Sequence, residues 1–246
     1  MCLQRIADSS QASRRSARDN PVLLRIACTR SRPEGVRQTP CSYDRFVERK
    51  RAEMAYLSMQ LIDIYTLDRA LTDLTQEEFM WEPHPGAWAI RRRSECTTPT
   101  PHGAKDGEWI ADYDSKLAAA ADRGRAIEPM TTIGWLLTHF ASAPGIAAEL
   151  EILGGPTKAS ARGVYGRMWS YTIYPEAGSA IDTFRSGWSA LRSALANTSD
   201  DMLEREYKGF GGPQPGAAFV MSLLNEVSHH GTQICALRDL YRQARG

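Results

Sequence analysis

Long apolar runs, paired cysteines and glycine-rich phosphate loops are all missing from this sequence of 246 residues. No stretch approaches the roughly 18–20 apolar residues that a membrane-spanning helix requires. The longest apolar segment, 133–153, is interrupted by Gly134, His139, Pro144, Gly145 and Glu149. The five cysteines, Cys2, Cys28, Cys41, Cys96 and Cys235, are odd in number, widely spaced and contain no CxxC pair. That excludes a zinc ribbon, argues against a disulfide framework and makes a reducing cytoplasm the simplest compartment. Neither GxGxxG nor GxxxxGK(S/T) occurs, and there is no internal repeat. The sequence signatures of a dinucleotide fold and of a P-loop are therefore absent. An excess of one charge is lacking too: 30 basic residues stand against 29 acidic ones. A near-neutral chain is a poor general ligand for nucleic acid.

What is present is enough to fold. The hydrophobic fraction of 42% is ordinary for a globular domain, and the length suits one large domain or two small ones. Charge divides the chain. Residues 1–40 carry eight arginines and three acids (Asp8, Asp19, Glu34), whereas the remainder holds 22 basic and 26 acidic residues. Residues 1–45 are rich in Arg and Ser, contain Pro21, Pro33 and Pro40, and have only Val22-Leu23-Leu24 as an apolar run. This segment reads as a disordered basic extension. A transit peptide and a basic arm for nucleic acid are the competing readings, and a secretory signal is excluded by the missing apolar core. Residues 46–246 read as a single domain.

Helical periodicity begins at about Ser42. It is strongest over 55–72, where Leu57, Leu61, Ile64, Leu67 and Leu71 form a stripe at spacings of three and four. Thr75 and Glu78 make a capping box. Trp81 and Trp88 flank a Pro-Gly turn as packing anchors. Residues 91–130 are polar and irregular, with Arg91-Arg92-Arg93 and a Thr/Pro run, and read as a long loop with some helix at 118–126. A second helix is expected over 131–153, stopped by Gly154-Gly155-Pro156. Residues 157–177 read as an aromatic connection. Ser179 reads as the N-cap of a third helix with Ile181, Phe184, Trp188, Leu191 and Leu195 inside. After the loop 209–216, a fourth helix is expected over 217–242. With no convincing strand, the pattern predicts an all-α bundle.

The fourth helix carries the chemistry. Phe219, Leu223, Glu226, His230, Gln233, Leu237 and Leu240 alternate at spacings of four and three, which makes one seam with two ionisable groups at its centre. The second helix repeats the arrangement with Thr132, Leu136, His139, Ala143, Ile146, Leu150 and Leu153. Charge inside a bundle is costly unless paired or bound to metal. Two imidazoles and a carboxylate suit Zn²⁺ or another borderline divalent ion and would leave a position open for water or thiol. The competing reading is a buried Glu226–His230 ion pair with a hydrogen-bonded His139. His229 sits about 100° round the helix from His230, as a supporting residue beside Asn225. Gln233 shares the His230 face and would orient it or touch substrate. His84 and His102 lie in loops and read as solvent-exposed.

Three segments resemble the DinB/YfiT-like superfamily. They are Trp81-Glu-Pro-His-Pro-Gly-Ala-Trp88-Ala-Ile-Arg91, Thr131-Thr-Ile-Gly-Trp-Leu-Leu-Thr-His139 and Asn225-Glu-Val-Ser-His-His-Gly-Thr-Gln-Ile-Cys-Ala-Leu-Arg-Asp-Leu-Tyr241. The resemblance runs from about Met54 to Tyr241, and the loop with the arginine run is similar to an actinobacterial-type branch. It implies an all-α four-helix bundle of DinB/YfiT type with long connecting loops. It also implies a divalent metal, often zinc or nickel, held by three histidines, one on the second helix and two in an HxxxH on the last. His139 matches the first ligand and His230 the third; Glu226 stands where the middle histidine is expected. The implied ligand set is therefore His139, Glu226 and His230, with His229, Gln233 and Asn225 in support. The implied activity is transfer of a low-molecular-weight thiol such as mycothiol to a small electrophile, or a related metal-dependent hydrolysis. A non-catalytic scaffold with a degenerate site is the alternative. A small-molecule substrate, a homodimer and a cytoplasmic location complete the expectation, with neither membrane nor nucleic acid as partner.

Overall fold

The structure, a computed structural model, describes residues 51–158, 173–208 and 213–246. The extension read over 1–45 and most of the aromatic connection, including Tyr165, Trp169 and Tyr171, lie outside the described residues. The chain divides into two compact units. Residues 49–115 and 129–246 form the larger one, and residues 116–128 belong to the other.

In the larger unit, α1 (Arg51–Ile62) runs through a π-helical turn, Asp63–Leu67, into α2 (Asp68–Leu71). Then come α3 (Gln76–Met80), β1 (Ile90–Arg92) and β2 (Trp109–Ala111). Helix α4 (Ser115–Asp122) belongs almost entirely to the smaller unit. The chain continues with α5 (Ile133–Ala141), α6 (Ala143–Ala148), α7 (Ala177–Asn197) and α8 (Asp200–Glu204). It ends with β3 (Glu206–Lys208), β4 (Pro213–Pro215) and the long α9 (Gly216–Arg245). The protein is thus mostly helical. Helix α7 packs on α6, α5 and α1, and α9 packs on α1 and α5. The α6 and α7 backbones meet at Gly145 and Gly187, where a Cβ on Gly187 would lie 2.7 Å from the Gly145 nitrogen.

Two short antiparallel ladders correct the expectation of no strands. Ile90 pairs with Ala111 and Arg92 with Trp109; Glu206 pairs with Pro215 and Lys208 with Pro213. Each strand has three residues, too few for alternation to emerge from a sequence. Ile90 and Ile110 are buried, so the arginine run opens on a core residue.

The stripe expected on the first helix is also corrected. Leu67 and Leu71 are buried, but Leu61 and Ile64 are 56% and 63% exposed. The buried face is Ala52, Ala55 and Met59, followed by Thr66, Leu67, Ala70 and Leu71. The π turn widens the helix locally, so a strict 3.6-residue stripe does not survive it.

The second helix is not continuous. It breaks at Ser142, because Pro144 inside a helix would clash with the carbonyl of Phe140 and remove a bond; Pro144 instead sits in the first turn of α6. A short 3₁₀ turn, Glu151–Leu153, then ends at Gly154 in the left-handed conformation, φ 83°.

Ser179 does not cap the third helix, which starts two residues earlier. The cap comes from elsewhere in the sequence: Gln76 Oε1 accepts from the Ala177 N–H at 2.9 Å, and Gln76 Nε2 donates to the Pro175 carbonyl at 2.8 Å. The core stripe of α7 is as expected, with Ile181, Phe184, Trp188, Leu191 and Leu195 all buried. Thr75 and Glu78 form the full capping box of α3.

On α9 the seam is interrupted: Phe219, Leu223 and Leu237 are buried, while Gln233 and Leu240 face solvent. The helix also buries a second face, with Val227, Gly231, Ile234, Cys235 and Arg238, because it lies against both α1 and α5. Arg238 is 4% exposed. It donates to both carboxylate oxygens of Glu78 at 3.2 Å and to the carbonyls of Arg69, Ala70, Thr72 and Asp73 at 2.7–3.4 Å. One guanidinium therefore satisfies the last carbonyls of α2 and ties them to α3.

Candidate metal centre

His139 lies in the last turn of α5, whose start is fixed by Thr132 accepting from the Trp135 N–H at 3.1 Å. Trp135 stacks on the His139 imidazole with centroids 5.0 Å apart and planes 12° apart. The indole is fixed in turn, since its Nε1 donates to the Asp112 carbonyl at 2.7 Å. The buried Asp112 carboxylate accepts from the Ala89 N–H at 3.1 Å and from Arg91 Nε at 2.7 Å. Arg91 also reaches Glu82 at 2.8 Å. The long connection read from the sequence thus folds into a braced segment that holds the ring beside His139.

Glu226 and His230 are one turn apart on α9, with His230 Nε2 3.3 Å from Glu226 Oε2. Gln233 Oε1 lies 2.7 Å from His230 Nδ1. An amide oxygen only accepts, so Nδ1 carries a proton; Nε2 faces Glu226 as a lone pair on the neutral ring and as an N–H donor on the protonated one. The His230 ring stands edge-on to His139 at 5.0 Å and stacks on Phe140 at 5.7 Å. His139, Glu226 and His230 each offer one ligand atom, and these atoms all lie within 4.8 Å of one another.

Burial, reinforced by the charge of His230, pushes the His139 imidazole down to about 3. It is neutral near pH 7 and needs to lose no proton to act as a ligand. The hydrogen bond from His230 holds the Glu226 carboxyl below its ordinary range against the opposing effect of burial. The donor set fits a borderline divalent cation. Two donors about 2.0–2.1 Å from a tetrahedral ion stand about 3.3–3.4 Å apart, which matches the Glu226–His230 separation. Two imidazoles with one carboxylate are chemistry that zinc and nickel accept. Gln233 makes the kind of hydrogen bond that would orient His230 as a ligand.

The other singled-out residues fall in different places. His229 is exposed, with its ring 5.1 Å from His230. Asn225 is exposed and, among the described residues, makes no hydrogen bond to the group. His84 is exposed. His102 corrects its expectation: it is half-buried, its backbone exchanges two 2.9 Å hydrogen bonds with Ala111, and its ring lies 4.0 Å from Tyr113. Burial pushes its imidazole down to about 4, and its charge is felt at His139. No spacing signal in the sequence could have found it. Trp88 is buried between Tyr113 and Trp135, and Trp81 meets Tyr241 edge-on. Cys235 is buried and its thiol is pushed up by burial, so it is not an activated nucleophile.

Among known families, the family model of the DinB superfamily matches residues 64–234, a span that contains all three donor residues. No curated protein and no solved structure matches the chain.

Proposed function

That match covers more than half of the chain, so the protein belongs to the DinB superfamily, whose domains typically bind metal, and from this premise we propose that it is a metal-dependent enzyme in which His139, Glu226 and His230 hold one divalent ion, zinc or nickel. The fold is read as a four-helix bundle of α1, α5 with α6, α7 and α9. The reaction class is transfer of a low-molecular-weight thiol of mycothiol type to a small electrophile, with metal-dependent hydrolysis next. A homodimer in the cytoplasm belongs to the same reading.

One observation carries it: two helices far apart in sequence bring three donors of suitable chemistry within 4.8 Å of one another. When bound, the ion would supply Lewis-acid chemistry that lowers the pKa of a thiol or water. The chain's own residues do the rest. Burial keeps His139 neutral and available. Gln233 holds the His230 proton on Nδ1. Glu226 contributes the negative charge that a dication needs. Trp135 and Phe140 cover the two imidazoles and fix their planes. The 3.3 Å Glu226–His230 contact also favours a second reading, a non-catalytic scaffold in which the two form a plain ion pair.

Elemental analysis of purified, untagged protein separates the two. About one equivalent of zinc or nickel in the parent, lost in both His139→Ala and His230→Ala, supports the enzyme. A protein without metal after reconstitution with Zn²⁺ and Ni²⁺ refutes it and leaves the scaffold.

A further inference from the structure

Helix α9 approaches the π turn closely at Gly231, the residue after His230. A Cβ on Gly231 would lie 2.5 Å from Thr66 Cγ2, closer than carbon atoms tolerate. The next neighbours, Leu67 Cδ2 at 3.7 Å and Thr66 Cβ at 3.8 Å, are at ordinary contact distance. One turn on, the buried Cys235 thiol donates to the Thr66 carbonyl at 3.7 Å. Glycine in the middle of a 30-residue helix is intrinsically worse than alanine. Its presence here therefore reflects the close approach rather than helix propensity.

We propose that Gly231 is a positioning element of the metal centre: by lacking a Cβ it lets α9 sit against Thr66 of the π turn at the depth where Glu226 and His230 reach His139. This inference rests on the metal-dependent reading above. Helix α9 lies between α1 and α5, so a clash with Thr66 that is relieved by moving α9 displaces His230 relative to His139. Relieving a 2.5 Å contact needs about 1 Å of movement or a reoriented Thr66, whereas metal ligands tolerate roughly 0.2 Å. The residues touching Thr66 and those facing His139 are on one rigid helix, so the error is passed on undiminished.

The test measures Zn²⁺ affinity by competition with a chromophoric chelator, beside urea unfolding of the metal-free protein, for Thr66→Ala, Gly231→Ala and the double variant. Gly231→Ala should weaken Zn²⁺ binding by about tenfold or more. Thr66→Ala should bind like the parent. The double variant, in which the offending methyl is gone, should return to within about threefold of Thr66→Ala. Binding by Gly231→Ala equal to the parent overturns the proposal, and so does a folded double variant as weak as Gly231→Ala. If Gly231→Ala does not fold, the double variant decides alone: parent-like affinity supports the contact, and weak binding by a folded protein overturns it. A parent that binds no Zn²⁺ overturns the metal reading itself, and this one with it.

Discussion

Removing the Arg238 side chain tests the packing scheme where it is most exposed to failure. Arg238→Ala deletes the partner of Glu78, which is itself only 4% exposed, and withdraws donors from four carbonyls at the end of α2. Breaking one side of a buried pair costs about 3–5 kcal/mol, because the remaining charge is stranded. Arg242 lies 4.0 Å from Glu78 but is 58% exposed, so it recovers no more than about 1 kcal/mol. A net loss of about 2–4 kcal/mol follows, a large share of the roughly 5–15 kcal/mol by which domains are stable. Urea unfolding followed by tryptophan fluorescence should show a lower midpoint at unchanged slope. Arg238→Lys should recover little, since one ammonium cannot span a carboxylate and four carbonyls. Combining Arg238→Ala with Glu78→Gln should cost less than the two changes summed, because the stranded charge is gone. A loss below about 1 kcal/mol for Arg238→Ala, at unchanged slope, would refute the view that this guanidinium joins α2, α3 and α9.

Two further outcomes are expected. The metal-free protein should lose stability on acidification. His139 and His102 titrate at about 3 and about 4 when folded, against an ordinary 6.5; the unfolded chain therefore takes up more protons below pH 6.5, and stability falls from there through pH 4. Urea midpoints between pH 7 and 4 measure this, and a His102→Gln, His139→Gln double variant should show a flatter profile; equal slopes would contradict the burial of these rings. Gln76→Ala should cost about 0.5–1 kcal/mol by uncapping α7 across the sequence. Hydrogen exchange at Ala177 and its neighbours should rise, and unchanged protection there would speak against the cap.

Sequence periodicity found what local rules govern. The α7 stripe and the Thr75–Glu78 box depend on spacings of three and four alone, and both are present. The interruption by Pro144 was visible as a residue, yet whether it kinks or splits a helix depends on what packs around it. The π turn carries no such mark, and with it went the burial of Leu61 and Ile64. The donors His139, Glu226 and His230 stood out because polar groups in an apolar seam are anomalous; their meeting depends on tertiary packing that no seam specifies. Arg238 and His102 were illegible for a related reason. An arginine near a helix end reads as surface, and a histidine among prolines reads as loop, unless the distant partners Glu78 and Ala111 are known.

The uneven division of donors between helices has a consequence for assembly. Glu226 and His230 ride on one continuous helix, so their spacing exists as soon as α9 is wound, before any tertiary structure. His139 joins them only when the nine-residue α5, braced through Trp135 and Asp112, has docked. A cation arriving early would find a weak bidentate clip, and the third bond would form only on docking. Under the metal-dependent reading, loading would be coupled to the docking of α5: a bound ion would report that α5 and α9 have met, and a chelator would pull first on the α5 docking interface rather than on α9.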